Sequence, residues 1–266
     1  NCNLCVLAVQ DEYCGNEFPG YAAEMPKHGH RWIEIKQKVR GKAPLVDAAY
    51  LPVMCQHCDE APCMKAAKNN AVTKRPDGIV LIDPDKSKGQ RQIVDSCPYG
   101  AIWWNEEKDI PQHWNFDAHL IDEGWTAPRA DKVFAAEAIK AVKGEPSEMT
   151  KMIQEHGLEE LAPEHGTKPR VWYKNLYRYR DCFIAGSVAA ESDGIVDCVE
   201  GAIVSLKHND DHVGTAETDI YGDFKFDQLP ENGGDYIVEI TAEGREPHSF
   251  KVTLDESQSF SDIMLT

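Results

Sequence analysis

Cys55-Gln-His-Cys58-Asp-Glu-Ala-Pro-Cys63 is the stretch on which the reading of this chain turns, and Cys97-Pro98-Tyr99-Gly100 completes it. Three thiols in one tight loop can wrap three corners of a cubane, and the fourth corner needs a cysteine from elsewhere in the fold. A Cys-Pro pair supplies such a corner in two-cluster ferredoxins. Pro98 redirects the chain and removes one N–H from a crowded loop. The remaining loop N–H groups are available to hydrogen-bond the sulfurs and tune their potential. A structural zinc ion takes the same four thiolates, and buried, unligated cysteines are the plainest alternative. The spacing favours a cluster over both. His57, between two ligands, is expected to pack or to donate a hydrogen bond.

The cysteine census agrees. There are nine: Cys2, Cys5, Cys14, Cys55, Cys58, Cys63, Cys97, Cys182 and Cys198, seven of them before residue 100. An odd number does not fit a disulfide framework. Clustering at short spacing points to metal ligation in a reducing setting. The expected location is therefore the cytoplasm, or the periplasm if a leader precedes Asn1. Cys2-Asn-Leu-Cys5 is a second, weaker candidate for metal ligation. A cluster-binding run would place another cysteine after Cys5, where this chain has Val9. Cys14, Cys182 and Cys198 read as buried small hydrophobes.

The chain has 266 residues, enough for two modest cores. No apolar run is long enough to span a membrane. The formal charge of −17 is uneven: from Ser187 onward there are 18 acidic and 4 basic residues. That acidic part argues against a nucleic-acid partner, and a border in charge commonly follows a border between domains.

Working outward, Arg31–Lys36 alternates as a strand and Gly78–Asp83 is a short apolar strand. Ser87–Asp95 is expected to be a short helix feeding Cys97. Lys132–Lys143 is Ala-rich, with Val133, Phe134, Ala138, Ile139 and Val142 near one helical face. A second helix runs from a Ser147 cap to Gly157. Residues 168–180 interleave basic and aromatic side chains, which suit a strand or linker against another subunit. From Cys182 the pattern is all β, with strands expected at 183–189, 200–206, 213–218, 222–226, 235–241, 248–254 and 259–265. Asp210-Asp211 and Asp219 do not match a calcium loop.

The fold class that follows is α+β, in three parts. Residues 1–131 form a ferredoxin-like cluster-binding domain and 132–181 a helical segment and linker. Residues 182–266 form a seven-stranded β-sandwich of immunoglobulin or transthyretin type.

Several stretches carry a specific resemblance. They are Asn16–Tyr21, Gly29–Trp32, the Cys55–Cys63 loop, Asp77–Pro84, Cys97–Gly100, Trp104–Glu107, Gly166–Arg170, Tyr173–Arg178, Gly222–Asp227 and Tyr236–Ile240. The chain resembles the small subunits of the pyrogallol–phloroglucinol transhydroxylase family, within the wider family of ferredoxin-like subunits of dimethyl-sulfoxide-reductase type. The resemblance implies 4Fe–4S clusters in this chain and a larger catalytic partner that holds the molybdenum and pterin. The catalysed reaction, hydroxyl transfer between polyhydroxylated benzenes, would then lie on that partner. The alternative within the same wider family is an electron-transfer subunit of another molybdenum reductase.

Carry-over of cluster ligands is complete for Cys55, Cys58, Cys63 and Cys97 and partial for Cys2 and Cys5. The family has a late cysteine-rich segment, and Trp114, Asp117, Val133 and Glu137 stand about where its thiolates are expected. One 4Fe–4S cluster is therefore expected here, with Trp114, Val133, Phe134 and Ala135 filling the vacated space as core.

Overall fold

The structure is a computed structural model that describes residues 2–43, 45–133 and 138–266. The chain opens with α1 (Leu4–Tyr13), followed by β1 (Ile33–Lys42) and β2 (Leu45–Met54), which pair with each other. Next come α2 (Pro62–Ala66), β3 (Val72–Lys74), β4 (Val80–Ile82), α3 (Gln92–Asp95), β5 (Trp103–Asn105) and β6 (Ile110–Gln112). The pairs β3–β4 and β5–β6 are small antiparallel hairpins. Four helices follow: α4 (Ala118–Asp122), α5 (Arg129–Lys132), α6 (Pro146–His156) and α7 (Tyr177–Arg180). The remainder is β7 (Cys182–Ser192), β8 (Ile195–Cys198), β9 (Ile203–His208), β10 (Asp211–Glu217), β11 (Asp223–Leu229), β12 (Gly234–Thr241), β13 (His248–Leu254) and β14 (Gln258–Leu265).

The chain divides into two compact units, residues 1–36 with 50–174, and residues 37–49 with 175–266. In the first, α1 buries Cys5, Ala8, Val9, Glu12 and Tyr13, the spacing of one helical stripe. The stripe packs on Met25, Trp32, Ile33, Met54, Trp114 and Ala130. Glu12 is tolerated on it because His119 Nε2 lies 2.9 Å from one carboxylate oxygen and Arg129 pairs with the other. A buried carboxylate needs such partners. A second cluster, with Ala71, Val72, Val80, Ile82, Ile93 and Ile102 at its centre, has Cys63 and Cys97 packed against it.

The second unit is built on two sheets, ordered β10-β9-β12-β13 and β11-β7-β14, with β8 also paired to β7. Alternate residues of β9 and β12, among them Val204, Leu206, Tyr236, Val238 and Ile240, meet Ile184, Val188, Phe224 and Ile263 in one core. Residues 37–49 bring Arg40, which is 3% exposed. Its guanidinium pairs with Asp47 at 2.5 Å and Asp227 at 2.9 Å and lies over the Phe183 ring at 5.2 Å. Buried charge survives only with such pairing.

Several expectations need correction. No helix spans 138–145. Ile139 packs against the α1 core instead, the Ala141 N–H donates to Asp131 Oδ2 at 2.7 Å, and Val142 is 42% exposed. Local helix propensity loses to tertiary burial of one side chain. Phe134, Ala135 and Glu137 lie outside the described residues. The helix expected at 87–95 is confined to α3, and the one after Gly144 starts at Pro146 with a capping box of Glu145 and Glu148. The stretch 168–180 is not a strand but an irregular linker that ends in α7, with Lys168, Arg170, Lys174 and Arg180 exposed. Within the first unit Tyr173 is buried and Arg170 pairs with Asp59, and within the second Arg178 pairs with Asp47. The C-terminal region has eight strands, β8 being unforeseen, and Cys198 at its end is exposed rather than buried. No helix among the described residues is long and apolar enough to cross a membrane.

Candidate metal centre

β2 ends at Met54 and delivers Cys55 directly into an irregular loop. His57 holds the left-handed conformation, φ 46°, which turns the chain between Cys55 and Cys58. Pro62 opens α2, a position where its missing N–H costs nothing, and sets Cys63 in the first turn. α3 leads to Cys97, whose N–H donates to the Val94 carbonyl at 3.1 Å. Gly100, at φ +64°, closes the turn back onto the Cys97 carbonyl at 3.2 Å.

The loop is held from several sides. The His57 imidazole is buried and packs against His113 and Phe116, as one of the two expectations had it, and it accepts the Val80 N–H at Nδ1, 3.1 Å away, rather than donating there. Lys74 Nζ donates to the carbonyls of His57 and Cys58 at 2.8 and 2.7 Å and pairs with Asp59 at 2.7 Å. The segment 167–170 lies alongside. The Asp59 N–H reaches the Lys168 carbonyl at 2.8 Å, the Glu60 N–H the Thr167 carbonyl at 2.9 Å, and the Arg170 N–H the Gln56 carbonyl at 2.8 Å. Gly78, at φ +92°, sits where a Cβ would collide with the Arg170 guanidinium. Tyr99 and Thr167 share a hydrogen bond at 2.6 Å, and the Thr167 hydroxyl also reaches the Cys58 thiol. Gln56 Nε2 donates to the Tyr173 hydroxyl at 3.0 Å, which itself donates to the Pro52 carbonyl.

Apart from His57, sequence reasoning singled out none of these supports for a role at the site. Lys74, Thr167 and Tyr173 are ordinary residues until the fold brings them to the loop. The nearest hint was that Thr167, Arg170 and Tyr173 fall in stretches that carried the family resemblance.

Cys58, Cys63 and Cys97 pack together around Ala61, Tyr99 and Ala101. Burial pushes the Cys55 thiol well up, and Cys63, Cys97 and Cys58 push it further by mutual repulsion. Cys63 is pushed up to about 12, first by burial and then by Cys97 and Cys58. The four thiols thus share one electrostatic neighbourhood. Thiolates crowded in apolar surroundings need a cationic centre to be stable, and the donor set therefore fits an iron–sulfur group. Among the described residues no three His, Cys, Asp or Glu side chains converge tightly enough for a single ion. A cubane asks less convergence than a zinc ion, because each thiolate binds a different iron.

The remaining candidates are arranged differently. Cys2 is exposed and Cys5 is buried in the α1 stripe beside Val9. Trp114, 1% exposed, joins the same core and donates through Nε1 to Asp117 Oδ1 at 2.9 Å. Asp117, fully buried, also accepts from the Tyr13 hydroxyl at 3.0 Å and the Arg129 N–H at 2.8 Å. Val133 is half-buried.

Comparison with known proteins supports iron–sulfur clusters, and the matched pattern is one of two clusters where the sequence led to an expectation of one. A family pattern described as a 4Fe-4S dicluster domain matches residues 46–142. In this chain that stretch contains four cysteines, Cys55, Cys58, Cys63 and Cys97. The beta subunit of the dimethylsulfide dehydrogenase of Rhodovulum sulfidophilum is 32% identical over 56% of this chain and 46% of its own. The beta subunit of the perchlorate reductase of Dechloromonas aromatica is 32% identical over 63% of this chain and 52% of its own. The pyrogallol hydroxytransferase small subunit of Pelobacter acidigallici is 44% identical over all of this chain and 95% of its own. With both units matched from end to end, the chain belongs to the family of the pyrogallol hydroxytransferase small subunit.

Proposed function

We propose that this chain is the iron–sulfur subunit of a molybdopterin enzyme of hydroxyl-transferase type. On this reading it carries one 4Fe–4S cluster on Cys55, Cys58, Cys63 and Cys97, and the molybdenum–pterin site lies on a larger partner chain. The observation that carries the proposal is the packing of Cys58, Cys63 and Cys97 around Ala61, Tyr99 and Ala101, with Cys55 in the same loop; these four are also the only cysteines in the matched stretch. When bound, such a cluster supplies a one-electron redox centre whose potential depends on hydrogen bonds and burial. This chain's residues hold the loop, shield it and keep His57 uncharged.

A single cluster is supported by what fills the other positions. Val9 and Trp114 are buried apolar core, and Asp117 is saturated with donors from Tyr13, Trp114 and Arg129. A transhydroxylation with no net redox change needs no electron wire out of the complex, in keeping with this arrangement. The similarity to subunits of a dehydrogenase and a reductase, each over little more than half of this chain, supports an electron-transfer role as the second reading.

We further read residues 1–131 as the cluster domain, 132–181 as a connecting segment and 182–266 as an immunoglobulin- or transthyretin-type sandwich, all in the cytoplasm. Anaerobic purification with the larger subunit, followed by metal analysis, tests the assignment. It expects one molybdenum and about four irons per heterodimer. Zinc in place of iron would defeat it.

A further inference from the structure

β8 buries none of its four residues: Ile195 is 69% and Val196 58% exposed. The strand is nevertheless well built. Asp193 and Gly194, at φ 53° and 78°, form a two-residue turn of the type that matches strand twist, flanked by the pair Ser192 and Ile195. Arg245 braces the turn end of the hairpin, donating to the Glu191 carbonyl at 3.0 Å and to Ser192 Oγ at 2.6 Å.

Among the described residues β8 pairs only with β7; the Cys198 N–H donates to Asp197 Oδ1 at 2.8 Å, and the far edge beyond that contact is open for backbone pairing. Ile220 and Tyr221, 65% and 67% exposed, continue the apolar strip. The Val188 N–H donates to the Gly222 carbonyl and the Val188 carbonyl accepts from the Val199 N–H, so their turn meets β7 where β8 ends.

A braced strand with apolar side chains in water gains nothing from burial within its own chain. Edges of this kind recruit another strand unless blunted. The strip lies in sequence among Glu191, Asp193, Asp197, Glu200 and Asp219, in a chain of formal charge −17. A second copy would set like charges against each other. Ile195 and Val196 lie on opposite faces of the strand, so the occupant must be extended, apolar at successive residues so as to flank both, and basic at its ends.

We propose that β8 is a docking edge that takes an extended segment of the larger partner subunit, with apolar side chains over Ile195 and Val196 and Lys or Arg against the acidic rim. This rests on the reading of the chain as a small subunit. Exposed Cys198 at the end of β8 supplies the reporter.

The experiment alkylates the purified heterodimer with iodoacetamide and follows the Cys198 peptide by mass. In the Ile195→Lys/Val196→Lys double variant, alkylation is expected to run at least about tenfold faster than in the wild-type complex, as lost local protection requires. High salt is expected to accelerate the wild type as well, because the rim is screened. Both substituted side chains are exposed, so the core is unaffected. Equal rates in two intact complexes overturn the docking edge alone. Protection with cross-links between two copies of this chain overturns it as well. A chain that purifies without a larger subunit overturns both this inference and the small-subunit reading.

Discussion

The backbone N–H of Val80 donates to Nδ1 of His57 across 3.1 Å, tying the cysteine loop to the β3–β4 hairpin. That bond fixes the tautomer: Nδ1 accepts, so the ring proton sits on Nε2. Burial, followed by the charges of His113, Lys74 and Arg170, holds the His57 pKa well below its usual value, so the ring stays neutral.

His57→Ala leaves a buried N–H without an acceptor and an alanine at positive φ. The expected loss is about 1–3 kcal/mol, read as a lower urea midpoint of the cluster-loaded protein and faster bleaching in air. His57→Asn, which tolerates left-handed backbone and offers an acceptor, is expected to recover much of that loss. Equal losses in the two variants would show that the Val80 bond is not what matters.

Asp117 collects three donors in a dry site, and Asp117→Ala strands the Trp114 indole N–H and the Arg129 N–H together, while the Tyr13 hydroxyl keeps Asn115 Oδ1 at 2.5 Å. At about 1–3 kcal/mol for each of these two unsatisfied groups, at least about 2 kcal/mol should disappear in chemical denaturation. The pH dependence has a definite sign. Burial raises the Asp117 pKa against the hydrogen bonds that lower it. The folded chain therefore binds this proton more tightly than the unfolded chain. The contribution is complete below the unfolded value of about 3.9 and is lost as pH rises through the folded value. Asp117→Asn should flatten the midpoint-against-pH curve in that window, and an unchanged curve would contradict the assignment.

Asp47 behaves in the opposite sense. Arg178 and Arg40 hold its carboxyl far below the usual carboxylate range. Its contribution is present above about 3.9 and fades as pH falls toward the folded value. Asp47→Asn leaves the buried Arg40 guanidinium with Asp227 as its carboxylate partner beside the Asp181 carbonyl, and should cost about 3 kcal/mol at neutral pH. The penalty should shrink on acidification in a thermal-melt series. A penalty that grows as the pH drops would refute the pairing.

The cysteine loop was legible in the sequence because metal ligation imposes short, recognisable spacing, and the C-terminal strands because alternation and turn residues are local signals. What fixes the loop was not. Lys74 and Thr167 act through contacts across long sequence separations, and no local pattern marks them. β8 was missed although Asp193-Gly194 is a strong hairpin signal, because Ile195-Val-Asp-Cys198 has no buried face to give it period. The helix expected over 132–143 is absent from 138 onward for the converse reason. Its Ala-rich periodicity is real, but Ile139 finds a better place against α1.

The central claim is that Cys97 joins Cys55, Cys58 and Cys63 on one cluster and that no second cluster accompanies it. Spin integration of the electron paramagnetic resonance signal from the reduced complex tests this most directly. The account expects about one unpaired-electron centre of iron–sulfur type per chain, abolished or converted in Cys97→Ser. Two or more interacting cluster spins, or an unaltered signal in Cys97→Ser, would contradict it.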